Sequence, residues 1–520
     1  MSRIVVVGAG VGGLAAAIRL ASAGHDVEVH ERSAGVGGKL AVHERDGFRF
    51  DTGPSLLTLP QVFADLGLRL PELQPLDPVV RHFFPGGAVL DSSSVHEVFL
   101  ERIADALGAG AAADWNRFWR RAERIWQASW RSVLQRPVTP ASLASLSWRL
   151  TDLAAIAPGR TLRDLSLRYL RDPRLRMLLD RYATYTGADP RRAPAALAAI
   201  PYAELHFGGW YLPGGLGTLG TAMVDRCTEL GARIVTNSPV TAILTAEGRA
   251  TGVAIRGGQA TAAEIPGGQA TGAADPGGQA SAAILGERAT GAGGSGRRID
   301  ADIVVSDVDA LALYRDLLPT PGRLAALTDR SLAGFVMLLG IRGETPELAH
   351  HNVFFPSWYD AEFNAIFGSA SRRAGPAGDP TIFVTRADDP AVHPPGTEAW
   401  FVLVNAPRHG TDWSAVDWRR AGLAEAYGKH VLDALARRGL DVRDRLIFAE
   451  IRTPADLADA AAAPGGAIYG TSGGLMRPAN RGPVDNLFLV GGSVHPGGGL
   501  PMVTLSAKIV ADEIGKYSPA

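Results

Sequence analysis

A chain of 520 residues, 46% hydrophobic and 20% charged, has an ordinary globular composition and enough length for two or more domains with large cores. A formal net charge of -1 excludes the concentrated Lys and Arg excess that nucleic-acid phosphates demand, and a single cysteine, Cys227, excludes an intrachain disulfide or a thiolate metal cluster. Residues 4 to 21 are mostly apolar, but glycines and Arg19 interrupt them, which argues against a secretory leader; nothing else approaches the roughly 20 apolar residues that span a bilayer.

Ile4-Val5-Val6-Val7 predicts a buried parallel strand running into Gly8-Ala9-Gly10-Val11-Gly12-Gly13, which fits G-x-G-x-x-G at Gly8, Gly10 and Gly13. A helix with small, packable faces follows until Gly24, and Val27 to Glu31 predicts a second strand ending in an acid. The first glycine allows the tight turn, the second lets backbone approach a pyrophosphate at the helix N-terminus, and the third lets helix and sheet pack closely. Glu31 can then accept from ribose hydroxyls. This unit alone leaves a nicotinamide dinucleotide and FAD both open.

Beyond Glu31, Arg32 and a short spacer lead to Gly37-Gly38-Lys39, a second glycine pair followed by a cation. Here the chain resembles the FAD-dependent amine oxidase and phytoene desaturase superfamily, whose members carry an acid, a spacer, Gly-Gly and then Arg or Lys. The resemblance implies FAD, held at Gly8, Ala9, Gly10, Val11, Gly12, Gly13, Glu31, Arg32, Gly38 and Lys39. It also makes Gly53, Pro54, Ser55 and Leu56 neighbours of the flavin ring, where the residues alone indicate only a Gly-Pro turn.

Residues 98 to 135 read as helical, with a break near Gly108-Ala109-Gly110. Trp115, Phe118, Trp119, Trp126 and Trp130 share one face and five arginines lie between them, so the stripe is read as core, with a lipid-interface helix as the competing reading. Leu162 to Leu179 predicts one more amphipathic helix. Arg181-Tyr182-Ala183-Thr184-Tyr185-Thr186-Gly187 and Ile200-Pro201-Tyr202-Ala203-Glu204 then resemble carotenoid desaturases, and the 3,4-desaturases more than enzymes acting on phytoene. Arg181, Glu204 and His206 are candidate catalytic groups near the reacting end, each equally a candidate structural partner.

A helix over Thr218 to Leu230 and a strand over Ala232 to Val235 come next, with Cys227 packed beside Met223 and Leu230. The resemblance makes Val240 a contact to the adenine side. Gly-Gly-Gln recurs at 257, 267 and 277 in a background too poor in apolar bulk to order itself, so 257–297 is read as a disordered insertion. Gly252 to Ile255 and Ala301 to Val305 are expected to pair across it. Strands over 331–341 and 399–405 and a helix over 418–438 follow.

Near the end, Leu487 to Val490 predicts a strand feeding Gly491-Gly492-Ser493, and a helix is expected from about Thr504. By resemblance, Gly492, Ser493, Met502 and Val503 touch the flavin and its ribityl chain. His495, beside Pro496 and glycines, is either a base or a residue that orients the loop. No metal site is expected: His350 and His351 are adjacent and cannot form a helical i, i+4 pair.

The implied fold is α/β, a Rossmann-like FAD-binding domain (1–75, 215–310, 484–520) plus an α+β substrate-binding domain (76–214, 311–483) whose region 98–200 is a helical lid. The implied activity is dehydrogenation of an allylic C–C bond of a C40 polyene, with hydride passing to flavin and the cation delocalised over the polyene. The implied partners are an apolar carotenoid substrate and an electron acceptor, a quinone or O2, at a cytoplasmic location with peripheral contact to the inner membrane face. Competing readings are an oxidase of an amine or porphyrinogen and a non-enzymatic carotenoid-binding flavoprotein.

Overall fold

The computed structural model describes residues 1–139, 150–256, 261–262, 296–472 and 477–516. Strand Arg3–Val7 lies at the centre of a sheet whose order is Thr261–Ala262, Arg233–Thr236, Asp26–His30, Arg3–Val7, Ile303–Ser306, Leu487–Leu489. All neighbours run parallel except the terminal two-residue strand. Ile4 to Val7 are buried on both sides, as an unbroken β-branched run requires in a parallel sheet. Their alternation separates two cores. Ile4 and Val6 pack with Leu14, Ile18 and Leu505, while Val5 and Val7 pack with Ile243, Val253 and Tyr314.

The helices on the first of these faces are Val11–Ser22, Gly217–Glu229 and Leu500–Ile514, the first touching both others. The opposite face carries an antiparallel sheet of Val240–Ala246, Arg249–Ile255 and Arg297–Asp300. This corrects the expected hairpin: Gly252 to Ile255 pair with Arg297 to Asp300, while Ile303–Ser306 joins the parallel sheet. Two strand segments abut with only Ala301 and Asp302 between them, and apolarity alone picked the wrong one. Apart from Thr261 and Ala262, and Gly296 and Arg297 at its end, the Gly-Gly-Gln insertion lies outside the described residues.

The second sheet has seven strands in the order Leu446–Arg452, Ala333–Arg342, Thr397–Ala406, Ile382–Arg386, His351–Phe354, Arg81–Phe83, Val89–Asp91, antiparallel except where His351–Phe354 meets Arg81–Phe83. Helix Leu423–Arg437 packs on it through Tyr427, Val431 and Leu435. That helix starts at Leu423 and not at 418, because Gly422 before it holds φ 75.

Helices His96–Leu107 and Ala109–Ser129 are separated by Gly108 at φ 99, and five residues of π-turn, Trp130–Leu134, follow. Trp115, Phe118, Trp119 and Trp126 are buried, whereas Arg117, Arg120 and Arg124 are exposed, so the stripe is core. Its rings interlock: Phe99 meets Trp115 edge-on at 5.4 Å and Trp119 meets Tyr202 at 4.7 Å. The single helix expected over 162–179 is two, Leu162–Tyr169 and Pro173–Arg181. Pro173 has no N–H to continue a helix but suits its first turn, and Asp172 caps the new start by accepting from Arg174 N at 2.8 Å. Among the described residues no helix is long and apolar enough to cross a membrane.

Candidate active site

The opening turn shows why its glycines are glycines. Gly8 holds φ 98, and a Cβ on Gly13 would lie 2.1 Å from Gly8 O, so strand and helix approach too closely for any side chain there. Gly37-Gly38 lies against the same turn: Gly37 N donates to Ala9 O at 2.8 Å, and a Cβ on Gly38 would lie 3.2 Å from Gly10 Cα. From the far end of the sequence Gly491, at φ 100, reaches Gly12, whose Cβ would lie 3.0 Å from Gly491 N and Cα. The two glycine turns, from opposite ends of the chain, thus form one crevice beyond the carboxyl ends of parallel strands.

Glu31 is buried beside it. One carboxylate oxygen accepts from Ala9 N at 2.8 Å and the other from Ser33 N at 2.9 Å and Ser33 Oγ at 2.5 Å, which fixes the acid's orientation and leaves lone pairs for ribose hydroxyls. Lys39 is exposed toward the crevice, and its Nζ donates to the carbonyls of Ile468 at 2.6 Å and Ala467 at 3.3 Å. Arg32 does not join the crevice: it turns outward and donates to the carbonyls of Asp459 and Ala460. Gly53 abuts Lys39, with a Cβ position only 1.8 Å from Lys39 O, and Ser55 Oγ hydrogen-bonds His351 Nε2 at 2.8 Å. Pro54 and Leu56 are half-buried around it, and Leu56 packs on Gly209. Ser493 Oγ accepts from Ala310 N at 3.0 Å, and Val503 reaches Gly492 from the first turn of the last helix, which begins at Leu500 with Pro501 in that turn rather than at Thr504. Met502 is half-buried beside it, and Val240 opens its strand opposite Ile255.

Three groups here went unrecognised in the sequence. Asp307 follows strand Ile303–Ser306 and puts its carboxyl under the glycines; a Cβ at Gly10, Gly12 or Gly491 would come within 2.4, 2.5 and 2.3 Å of its oxygens. Burial, reinforced by the charge of Glu31, pushes that carboxyl up to about 7, against the N–H of Gly13 and the charge of Lys39. Arg330 pairs with Asp309 at 2.9 Å, both buried. Arg477, lowered to about 10 by burial, donates to the carbonyls of Tyr469 and Gly492. No local motif marks these residues; only the strand ending at Ser306 signals that a crevice residue follows.

On the substrate side the structure brings two of the four candidate catalytic groups together. Glu204 accepts from Tyr182 Oη at 2.8 Å and Tyr185 Oη at 2.7 Å, and Arg181 Nη2 donates to Tyr185 Oη at 2.8 Å. Arg181, Tyr182 and Glu204 are buried and Tyr185 is half-buried, and the guanidinium also stands 5.9 Å from the centre of the Phe383 ring. His206 is a correction: although on the same helix as Glu204, it points to solvent and stacks on Tyr202 at 4.8 Å. His495 is buried and its Nε2 donates to the carbonyls of Arg136 at 2.9 Å and Val133 at 3.1 Å, so its one N–H fastens the C-terminal turn to the end of the tryptophan helix. Burial lowers its pKa.

Residues 11–269 match the family of flavin-containing amine oxidoreductases. Over 98% of both chains this sequence is 32% identical to the 4,4'-diapolycopene oxygenase of Methylomonas sp. It is 30% identical to the 4,4'-diaponeurosporene oxygenase of Staphylococcus haemolyticus, over 98% of this chain and 97% of that one. The chain belongs to the carotenoid-modifying flavin oxidoreductases. A 1-hydroxycarotenoid 3,4-desaturase of Flavobacterium sp. is a further relative, 28% identical over 99% of both chains. In fold, this oxidoreductase is similar to an oxidoreductase from Methanosarcina mazei (TM-score 0.60, 16% identity, 98% and 100% of the two chains) and to cyclohexylamine oxidase from Brevibacterium oxydans (TM-score 0.55, 15% identity, 99% of both).

The enzyme is an FAD-dependent oxidoreductase, and the crevice suits that cofactor. Helix Val11–Ser22 presents its N-terminus to the crevice as bare backbone at Gly10 and Gly12, and Lys39 with the buried Arg330 and Arg477 would offset the charge of a pyrophosphate.

Proposed function

We propose that this enzyme dehydrogenates an allylic C–C bond of a linear C40 polyene to extend its conjugation. The observation that carries this reading is the interior next to Ser55. His351, bonded to Ser55, stacks on Phe383; Phe355, Tyr359 and Phe363 form a second run of touching rings; and Arg181 of the Arg181–Tyr185–Glu204 chain stands 5.9 Å from the centre of the Phe383 ring. Such walls suit an extended apolar chain and exclude water.

In this reading Gly10, Gly12 and Gly13 receive the pyrophosphate, Glu31 the ribose, and Gly53 to Leu56 with Gly492, Ser493, Met502 and Val503 border the flavin ring. Bound FAD supplies the two-electron acceptor. The protein's residues supply position and dryness. His82, at about 3, and His351, well below the ordinary imidazole value, are both held neutral chiefly by burial. Neither stores a proton at neutral pH, and a cation spread over the polyene has little need of a strong base. Electrons leave to a quinone or O2, and the apolar substrate favours a peripheral station on the inner membrane face.

Terminal oxygenation is the second reading, favoured by the names of the 32% and 30% identical relatives. The test is expression in cells accumulating phytoene, neurosporene or a hydroxylated carotenoid, with pigment spectra and mass analysis. Loss of two hydrogens with a red-shifted spectrum is expected. Gain of oxygen without a new C=C bond would overturn desaturation in favour of oxygenation, and unchanged pigment in every strain would remove both.

A further inference from the structure

A second cavity lies apart from the aromatic interior, and of the crevice residues Arg330 alone lines it. Its volume is about 210 Å³, and the guanidiniums of Arg192, Arg330 and Arg408 share its wall with the apolar side chains of Leu332, Ile366 and Phe367. Arg330, Leu332 and Ile366 are buried, while Arg192, Asp329 and Ser414 are exposed, so the cavity opens to solvent over a buried floor. It is smaller than the roughly 300–1,000 Å³ of clefts for drug-sized molecules, which restricts the occupant to a small group.

The charges around it do not cancel. Arg192 pairs with Asp329 at 3.1 Å on the rim. Arg330 pairs with Asp309 at 2.9 Å, but that carboxylate is outside the cavity, on the side of Ser493. Arg330 Nε is buried and donates to nothing among the described residues. Arg408 donates from Nη2 to Ser414 Oγ at 2.8 Å and forms no ion pair among the described residues. Burial, and to a lesser degree the charge of Arg330, lowers the pKa of Arg408 against the attraction of Asp412 and Asp329, so the two guanidiniums sense one another. Asp412 is itself taken up by the N–H and hydroxyl of Ser414. A partly desolvated guanidinium without a carboxylate costs stability that an oxyanion would restore.

We propose that this cavity binds a phosphate group through Arg408, with Arg330 and Arg192 completing the donors, and that the group arrives either free or as the headgroup of an anionic phospholipid. A planar guanidinium offers paired N–H donors that match phosphate oxygens, and the apolar wall receives the carbon attached to them. Trp413, 56% exposed and next to Ser414 in the chain, is an amphipathic ring suited to a lipid interface. The inference stands independently of the polyene reading.

The test uses full-length, flavin-loaded enzyme, so that the pyrophosphate crevice is filled. Inorganic phosphate is titrated by calorimetry against a chloride background of equal ionic strength. Saturable one-to-one binding is expected, with a dissociation constant on the order of 1 mM. Arg408→Gln should weaken it about ten- to a hundredfold, the range for a hydrogen bond to a charged group. Arg408→Lys should keep part of the affinity, and Arg192→Gln, at an exposed side chain, should lose less than Arg408→Gln. Flotation with phosphatidylglycerol vesicles separates the two sources: flotation that needs Arg408 and is competed by inorganic phosphate assigns a lipid headgroup, and phosphate binding without such flotation assigns a free phosphate. No saturable phosphate binding by the wild-type enzyme overturns the inference, whether or not any variant folds. Phosphate affinity unchanged in Arg408→Gln and Arg192→Gln, each with the flavin content of the wild type, also overturns it, because the phosphate would then sit elsewhere.

Discussion

The glycine crevice and the aromatic interior hold charged groups in opposite ways. In the crevice, backbone makes the shape: glycines from two distant turns are pressed to within a Cβ of one another, and Asp307 fills the space beneath them. In the interior, side chains make it, and a relay from Arg181 through Tyr185 to Glu204 is the polar thread through a wall of rings. A backbone-built site tolerates no added atom, whereas a side-chain-built one tolerates no lost partner.

The sharpest way to break that contrast is Gly13→Val. Its Cβ would start 2.1 Å from Gly8 O, and because both atoms belong to backbone neither can yield. Overpacking of this kind costs about 3 kcal/mol or more, and the purified variant should be colourless, with no flavin absorbance after reconstitution. Flavin content equal to wild type would show that the turn is not the binding element.

Glu204→Ala is the corresponding test of the interior. It strands two tyrosine hydroxyls and leaves the Arg181 charge without its carboxylate, a loss on the order of 3 kcal/mol. Thermal or denaturant unfolding should record it, while folded protein keeps its flavin. A variant as stable as wild type would mean the network is not coupled to the fold.

Asp307 tests the crevice more gently, through pH. Its carboxyl is raised from 3.8 to about 7 in the fold by burial and by Glu31, so the native state keeps a proton that the unfolded chain has lost between those values. Its contribution to stability is therefore full below about 3.8 and disappears as pH climbs to 7, with a slope of at most about 1.4 kcal/mol per pH unit. Above 7 the ionised carboxylate, only partly offset by Lys39 and Gly13 N–H, also repels a pyrophosphate. Asp307→Asn should flatten that share of the stability curve and prevent the rise in FAD dissociation constant above pH 7, both measurable by titration at fixed salt. Parallel curves for the two proteins would remove Asp307 from the account. Asp180 and Glu362, raised chiefly by burial to about 6 and about 7, slope the same way in both proteins and cancel in the difference.

The smallest effect belongs to His206→Ala. Exposed, and held only by ring contacts with Tyr202 and Phe207, it should change stability by less than about 0.5 kcal/mol and leave product formation unaltered. A large loss of activity would return it to the reaction.

The same contrast explains what the sequence made legible. Gly8, Gly10 and Gly13 follow one another in a short motif whose spacing is dictated by backbone, so the turn, its strand and its helix could be placed from residues alone. Gly491 was legible for the same reason. The relay was only half visible: Arg181 and Glu204 were polar candidates because they lie in stretches that resemble carotenoid desaturases, but His206 shares Glu204's helix, and spacing of two residues on a helix puts them on different faces. His82, Asp307 and Arg330 sit in stretches with no motif; tertiary contact alone gives them a role. Pro173 after Asp172 was an N-terminal signal in plain view, outweighed by an apolar period that runs through the break.

The meeting of Gly12 with Gly491 has a consequence for biosynthesis. The ribosome releases the first glycine turn at the start of translation and its counterpart only near the end, so nascent protein carries half a binding cleft for most of its time on the ribosome. With the cofactor placed as proposed, prosthetic-group capture is a late event, and a chain stalled anywhere before that second turn should stay pale however well its opening strand and helix have formed.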